Sequence, residues 1–137
     1  MDGLMANEMT AEEVVATMHI GELADRSNMS LRTIRHYDEV GLLKPSGRTE
    51  GGFRLYTERD FTRLMLIRRM KPLGFALEEM AELLRVIDTL EAADKGEGSA
   101  AVRSALAGFI EQATARRAKL EEQIDMADEF IELLRAQ

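Results

Sequence analysis

One apolar register runs unbroken through the last third of the chain. Leu106, Ile110, Ala113, Arg117, Leu120, Ile124, Ala127, Ile131 and Leu134 follow one another in steps of four and three. That is heptad spacing, held for roughly four repeats, and at 1.5 Å per residue the helix carrying it is about 50 Å long. The whole chain is 137 residues, the length of one average domain. The remaining residues are too few to cover such a helix along its length, so the seam calls for a partner. A second copy in isologous two-fold pairing is the simplest one. Ala113 and Ala127 let two helices approach closely, and Arg117 in a core position penalises wrong registers. The competing arrangement folds the helix back onto its own domain.

Charge divides along the chain. The total is -7, which by itself argues against a polyanionic partner, but residues 19–74 carry 11 Lys and Arg against 7 Asp and Glu, a net of +4. Residues 75–137 carry 7 against 14, a net of -7. A Debye length of roughly 8 Å at physiological salt makes the local block, not the total, what a docked phosphate feels. A basic segment therefore lies between acidic ones.

Within the basic block, Ile20, Leu23 and Ala24 form the stripe of a short helix ending near Ser27. Asn28 suits a left-handed turn, and Ser30 suits the N-cap of a second helix. On that helix Leu31, Ile34 and Val40 are expected to face the core, with Arg32, Arg35, His36 and Glu39 on the opposite face. Turn residues at 44–52 followed by the alternation Phe53-Arg-Leu-Tyr56 predict a two-stranded wing, with Gly51-Gly52 as its hairpin turn. Thr57 and Asp60 have capping-box spacing and open a helix carrying Phe61, Leu64, Met65 and Arg68, stopped by Pro72 and Gly74. A further helix spans about 76–89, with Leu77, Met80, Ala81, Leu84 and Ile87 on its buried face. The fold class is thus all-α with a small two-stranded β wing. Its expected organisation is a loosely ordered extension at 1–17, in which a helical turn behind Thr10 is the competing reading, a winged helix-turn-helix domain at 18–90, a linker at 91–100 and a coiled-coil helix at 101–137.

A basic helix followed by a wing reads DNA: the helix fits the major groove and the wing grips the flanking backbone. Arg32, Thr33, Arg35 and His36 are candidates for base edges or nearby phosphates, with Arg35 foremost for a bidentate guanine contact. Tyr37, Arg48, Arg54 and Tyr56 are candidates for the sugar-phosphate backbone. Ser30, Arg68 and Lys71 complete the candidate DNA contacts.

The run Ile20-Gly-Glu-Leu-Ala24, then Thr33-Ile-Arg-His-Tyr-Asp-Glu-Val-Gly-Leu-Leu43, Gly52-Phe-Arg-Leu-Tyr56 and Leu73-Gly-Phe-Ala-Leu-Glu78 resembles the N-terminal domain of MerR-family transcriptional regulators. The resemblance covers residues 18 to about 88, and the long C-terminal helix has the place and length of that family's dimerisation helix. It implies that Arg35, Tyr37, Arg54 and Tyr56 stand where the family contacts operator DNA. His36 stands where the family often has a second Tyr, and Asn28 where it often has Gly. It also implies a homodimer on palindromic, double-stranded promoter DNA, beside the RNA polymerase holoenzyme, acting by distorting the DNA. Coiled-coil geometry then sets the separation of the two reading helices.

The chain has no Cys, which removes disulfides, zinc ribbons and the thiolate sites by which metal and redox members of that family sense their signals. Two His cannot complete a tetrahedral metal site, and the Met residues fall mainly in the extension and in helical core patterns. No cofactor is expected and the effector is left unassigned. Phe75, Phe109 and Phe130 mark where an apolar effector cavity would be sought. Residues 1–18 lack a basic stretch followed by an apolar one, so a cytoplasmic protein without a membrane segment is expected. An enzyme has no support, because no nucleophile with its base and no phosphate-cradling Gly loop is present. The alternative function is a coiled-coil protein-interaction module with a non-functional or architectural DNA-binding domain.

Overall fold

The computed structural model describes residues 16–92 and 99–137, which fall in two compact units, Met1–Arg69 and Met70–Gln137. Nearly all of the expected extension, the helical turn behind Thr10 and the middle of the expected linker lie outside the described residues.

The first unit begins with strand β1 (Thr17–His19), which leads straight into α1 (Ile20–Ser27). Asn28 caps α1 at φ 55° and ψ 41°, the left-handed conformation that Asn tolerates better than other residues with a Cβ. Its N–H and that of Met29 close onto the Asp25 and Ala24 carbonyls. Helix α2 (Leu31–Glu39) then starts at Ser30, whose Oγ accepts from Thr33 N at 3.1 Å. The expected helix, tight turn, helix is present.

The buried face of α2 differs from expectation. Leu31 and Val40 are exposed, and Ile34, Tyr37 and Asp38 point inward. Their spacing of three and one is as helical as the expected set, but it carries a phenol and a carboxylate that hydropathy assigns to the surface.

The wing has β2 (Gly47–Arg48) and β3 (Arg54–Thr57), joined by a turn in which Gly52 N donates to Thr49 O at 2.9 Å. Gly52 sits at φ 85°, where a side chain would be strained. The sheet has three antiparallel strands in the order β1-β3-β2, not two. The added strand, β1, sets Met18 opposite Tyr56, and both side chains are buried. Three residues are too short for alternation to announce a strand.

Thr57 and Asp60 form the expected capping box at α3 (Glu58–Met70). Asp60 N donates to Thr57 Oγ1 at 3.2 Å, and Thr57 N donates to Asp60 Oδ2 at 2.9 Å. Ser46 Oγ donates to the same Asp60 oxygen at 2.5 Å, tying the loop before the wing to the helix start. Arg26 closes the unit from the other side, with its guanidinium 4.1 Å above the Phe61 ring and bonded to the Glu58 carboxylate. Leu23, Ile34, Tyr56, Leu64 and Ile67 are fully buried.

In the second unit a short 3-10 segment (Lys71–Leu73) containing Pro72 ends at Gly74, φ 82°. Helix α4 (Leu77–Ala92) follows, its first free N–H satisfied by Glu79, which accepts from Ala76 N at 2.8 Å. Met80, Leu83, Leu84 and Val86 are its buried residues, whereas Leu77 is exposed and Ala81 and Ile87 are half-buried, so the inward face is rotated from the expected one. Helix α5 (Ser99–Arg135) is 37 residues long. Its proximal half meets the start of the unit: the Phe75 and Phe109 rings lie 6.4 Å apart, and Arg116 stacks 4.0 Å over Phe75. Arg116 also donates to Leu73 O and to Glu79, each at 3.3 Å. Beyond it every residue of α5 is exposed. Among the described residues no helix is long and apolar enough to cross a membrane.

Candidate nucleic-acid interface

The outward face of α2 carries Arg32, Arg35, His36 and Glu39, which line one shallow concavity and are all exposed. These four residues recur three, four and seven apart, so the helix period itself gathers them while Ile34, Tyr37 and Asp38 hold the opposite side down. Ser30 and Thr33 stand at the N-terminal end of this face. Their hydroxyls lie 2.8 Å apart within the N-cap, so Ser30 serves the helix start in this structure.

The wing arginines are organised by a residue that was not expected in the site. Arg48 and Arg54 are directly opposed across β2 and β3, and like charges at such a pair repel. Asp38, with a side chain only 9% exposed, accepts from Arg54 Nε at 2.7 Å and from Arg48 Nη2 at 3.2 Å, with Lys44 Nζ 3.9 Å away. Arg48 also donates through Nη1 to Gly52 O at 3.0 Å, holding the hairpin turn. The hydrogen bond it donates to Asp38 raises the Arg54 guanidinium above its ordinary pKa. The signal for Asp38 was its spacing, four from Ile34 and one from Tyr37, which places a carboxylate on the inward face. Hydropathy alone hid it.

The two tyrosines lie in the interior of the unit. Tyr37 is 3% exposed and Tyr56 fully buried, and burial raises both phenols above their ordinary pKa. The Tyr56 hydroxyl has no hydrogen-bond partner among the described residues. In this conformation Tyr56 is a core residue, because the strand pairing with Met18 turns it inward. Tyr37 likewise supplies its ring to the interior, tilted 44° to His36. On the wing the exposed aromatic is Phe53. Arg68, on α3, is exposed in the first unit, and Lys71 is exposed in the second.

The proposed seam residues also divide. Leu106 and Ala113 are half-buried beside Phe109, whereas Ile110, Leu120, Ile124, Ala127, Ile131 and Leu134 are exposed. Arg117 is exposed and pairs with Glu121 one turn on. Phe130, at 60% exposure, is 21 residues along the same helix from Phe109, about 31 Å of helical rise. Within a single chain Phe130 therefore lies apart from the Phe75 and Phe109 pair. Among the described residues no group of His, Cys, Asp and Glu is placed to hold a metal ion.

Comparison with known proteins agrees with this geometry. The family description "MerR HTH family regulatory protein" matches residues 18–86, and "MerR, DNA binding" matches residues 61–136. An HTH-type transcriptional regulator of Pseudomonas aeruginosa is 33% identical over 115 residues, covering 84% of this chain and 83% of that protein. The mercuric resistance operon regulatory protein of Bacillus cereus is 47% identical over 73 residues, covering 53% of this chain and 55% of that protein, so the match spans about half of either. A solved MerR-family transcriptional regulator from Bacillus cereus superposes with a TM-score of 0.61 at 29% identity, covering 85% of this chain and 76% of that one. With two family descriptions that together span residues 18–136 and a relative matched along most of its length, the chain belongs to the MerR family of DNA-binding transcription regulators and is not an enzyme.

Proposed function

We propose that the chain works as a homodimer joined through α5, binds a palindromic operator in promoter DNA and controls transcription by distorting that DNA beside the RNA polymerase holoenzyme. The observation that carries this reading is the outward face of α2, where Arg32, Arg35 and His36 stand exposed with the Arg48–Arg54 pair of the same unit. Helix α2 enters the major groove, with Arg35 bidentate to a guanine and Arg32, Thr33 and His36 on neighbouring edges or phosphates. Arg48 and Arg54 hold the flanking backbone, and Arg68 and Lys71 are further phosphate contacts. Ser30 acts by fixing the start of the reading helix. Leu120, Ile124, Ala127, Ile131 and Leu134 pair with a second copy, which supports the two-fold symmetry that a palindrome requires. A protein that meets promoter DNA and polymerase in this way works in the cytoplasm.

The test is operator recovery from a random DNA pool with the purified protein, followed by titration and footprinting. Binding to the recovered operator should weaken steeply with salt, as roughly 6 to 10 phosphate contacts per dimer require. Arg35→Ala should cost ~1 to 3 kcal/mol on the operator and relax the preference at one base position in each half-site. Equal, weak binding of the unaltered protein to operator and scrambled DNA would sink the reading and favour a protein-interaction role for α5.

A further inference from the structure

Asp38 is the one buried carboxylate of α2, and three cations of the surrounding loop and wing converge on it. A structural ion pair usually joins one acid to one base. Here a single Oδ2 accepts from both members of a cross-strand arginine pair, at 2.7 Å and 3.2 Å, and the acid lies on the helix that also carries Arg35. The two guanidiniums differ in how they are held. Arg54 uses Nε, so its terminal amino groups have no partner among the described residues. Arg48 is fixed at both ends, with Nη2 on Asp38 and Nη1 on Gly52 O. Without the carboxylate, two like charges directly opposed on antiparallel strands repel and swing apart. With it, they are held together on one side of the wing and in fixed relation to α2.

We propose that Asp38 is a positioning residue for DNA binding: it never touches DNA but aims the Arg48–Arg54 pair at consecutive phosphates flanking the bases read by α2. This rests on the DNA-reading function proposed above. Preorganising the pair removes the ordering cost that two free arginine side chains would carry on binding. Arginine is required at position 54 because one guanidinium can meet Asp38 through Nε and a phosphate through its amino end, whereas a lysine has a single ammonium for both.

The experiment uses the full chain and the operator recovered from the random pool. Asp38→Asn, with folding checked by circular dichroism, should bind operator and scrambled DNA about tenfold more weakly and by the same factor. Its salt dependence should fall by roughly 1 per lost phosphate contact, and backbone protection should disappear at the flanking phosphates while the major-groove footprint of α2 stays. In an Arg48→Ala/Arg54→Ala background, Asp38→Asn should cost nothing more. Arg54→Lys keeps the charge and the fold, and it should lose the same flanking protection; it decides the matter if Asp38→Asn does not fold.

A merely structural role predicts a different pattern: loss of operator preference with the salt slope unchanged, or the same tenfold loss in the double-alanine background. Either result, or full flanking protection in Arg54→Lys, overturns the assignment of Asp38 while leaving the DNA-reading function standing. An unaltered protein with no operator preference overturns the function itself and this proposal with it.

Discussion

Leu23 and Ile124 are both branched apolar residues on amphipathic helices. The first is fully buried within its own unit, and the second is 59% exposed although the helix around it is regular. In the first unit α1 ends in a left-handed turn, α2 and α3 begin at side-chain caps, and Leu23, Ile34, Leu64 and Ile67 of the three helices are fully buried. In the distal half of α5 the apolar residues recur with equal regularity and are exposed. Sequence periodicity is therefore evidence for a helix in both places, but evidence for a core in only one. The other face is the surface proposed above to pair with a second copy.

Deleting core atoms on either side sharpens that contrast. Leu23→Ala should lower unfolding stability by ~2 to 5 kcal/mol, and the loss, read by urea titration, should be the same at low and high protein concentration. Ile124→Asp together with Ile131→Asp should leave the secondary structure of a dilute sample unchanged yet abolish dimers in analytical ultracentrifugation. The unaltered chain should melt at higher temperature as its concentration rises, because association stabilises by mass action. Identical melting at all concentrations would mean that the exposed seam pairs with nothing of its own kind.

Smaller effects probe the interior of the first unit. Tyr56→Phe removes a buried hydroxyl without a partner and should stabilise the chain by about 1 kcal/mol. The phenol is raised in the folded state by burial, so its contribution is complete below the ordinary phenol value of roughly 10 and is lost as pH rises through the folded value. Alkaline destabilisation should accordingly be weaker in Tyr56→Phe than in the unaltered chain, in melts taken from neutral to strongly alkaline pH. The smallest effect belongs to Glu58. Its carboxyl is lowered by the hydrogen bond from Arg26, so its contribution is present above the ordinary Glu value and disappears as pH falls through the lowered one. Glu58→Gln should therefore differ from the unaltered chain near neutrality and converge with it in acid. A difference that persists at the lowest pH would assign Arg26 to Phe61 alone.

The parts of the fold that are legible in the sequence share a physical trait: one residue type there answers one local demand. Asn28 meets the left-handed turn, Ser30 and the Thr57/Asp60 pair meet free helix N–H groups, and Gly52 meets a positive φ. The outward set Arg32, Arg35, His36 and Glu39 was legible because charge and helical period coincide. What escaped was set by partners distant in sequence. Strand β1 exists because Tyr56 offers Met18 a neighbour 38 residues away, and no property of three residues reveals that. Asp38 faces inward because two wing arginines neutralise it, and Tyr37 and Tyr56 face inward because the sheet and α2 close over them. The same nonlocality divides the heptad, whose first turns lie beside Phe75 and whose last turns stay bare.

Arg116 is where that division falls, and it gives the molecule a clock. Up to this residue, α5 is clasped to the Leu73 carbonyl, Phe75 and Glu79; after it, a free chain has only its own intrahelical bonds, which a helix of that length in water breaks readily. Amide protons before Arg116 should thus exchange slowly at any concentration, while those after it should exchange quickly whenever the chain stands alone. On the dimer proposed above, label should enter residues 117–135 more slowly as the sample is concentrated, which reads the free fraction without any probe attached to either copy.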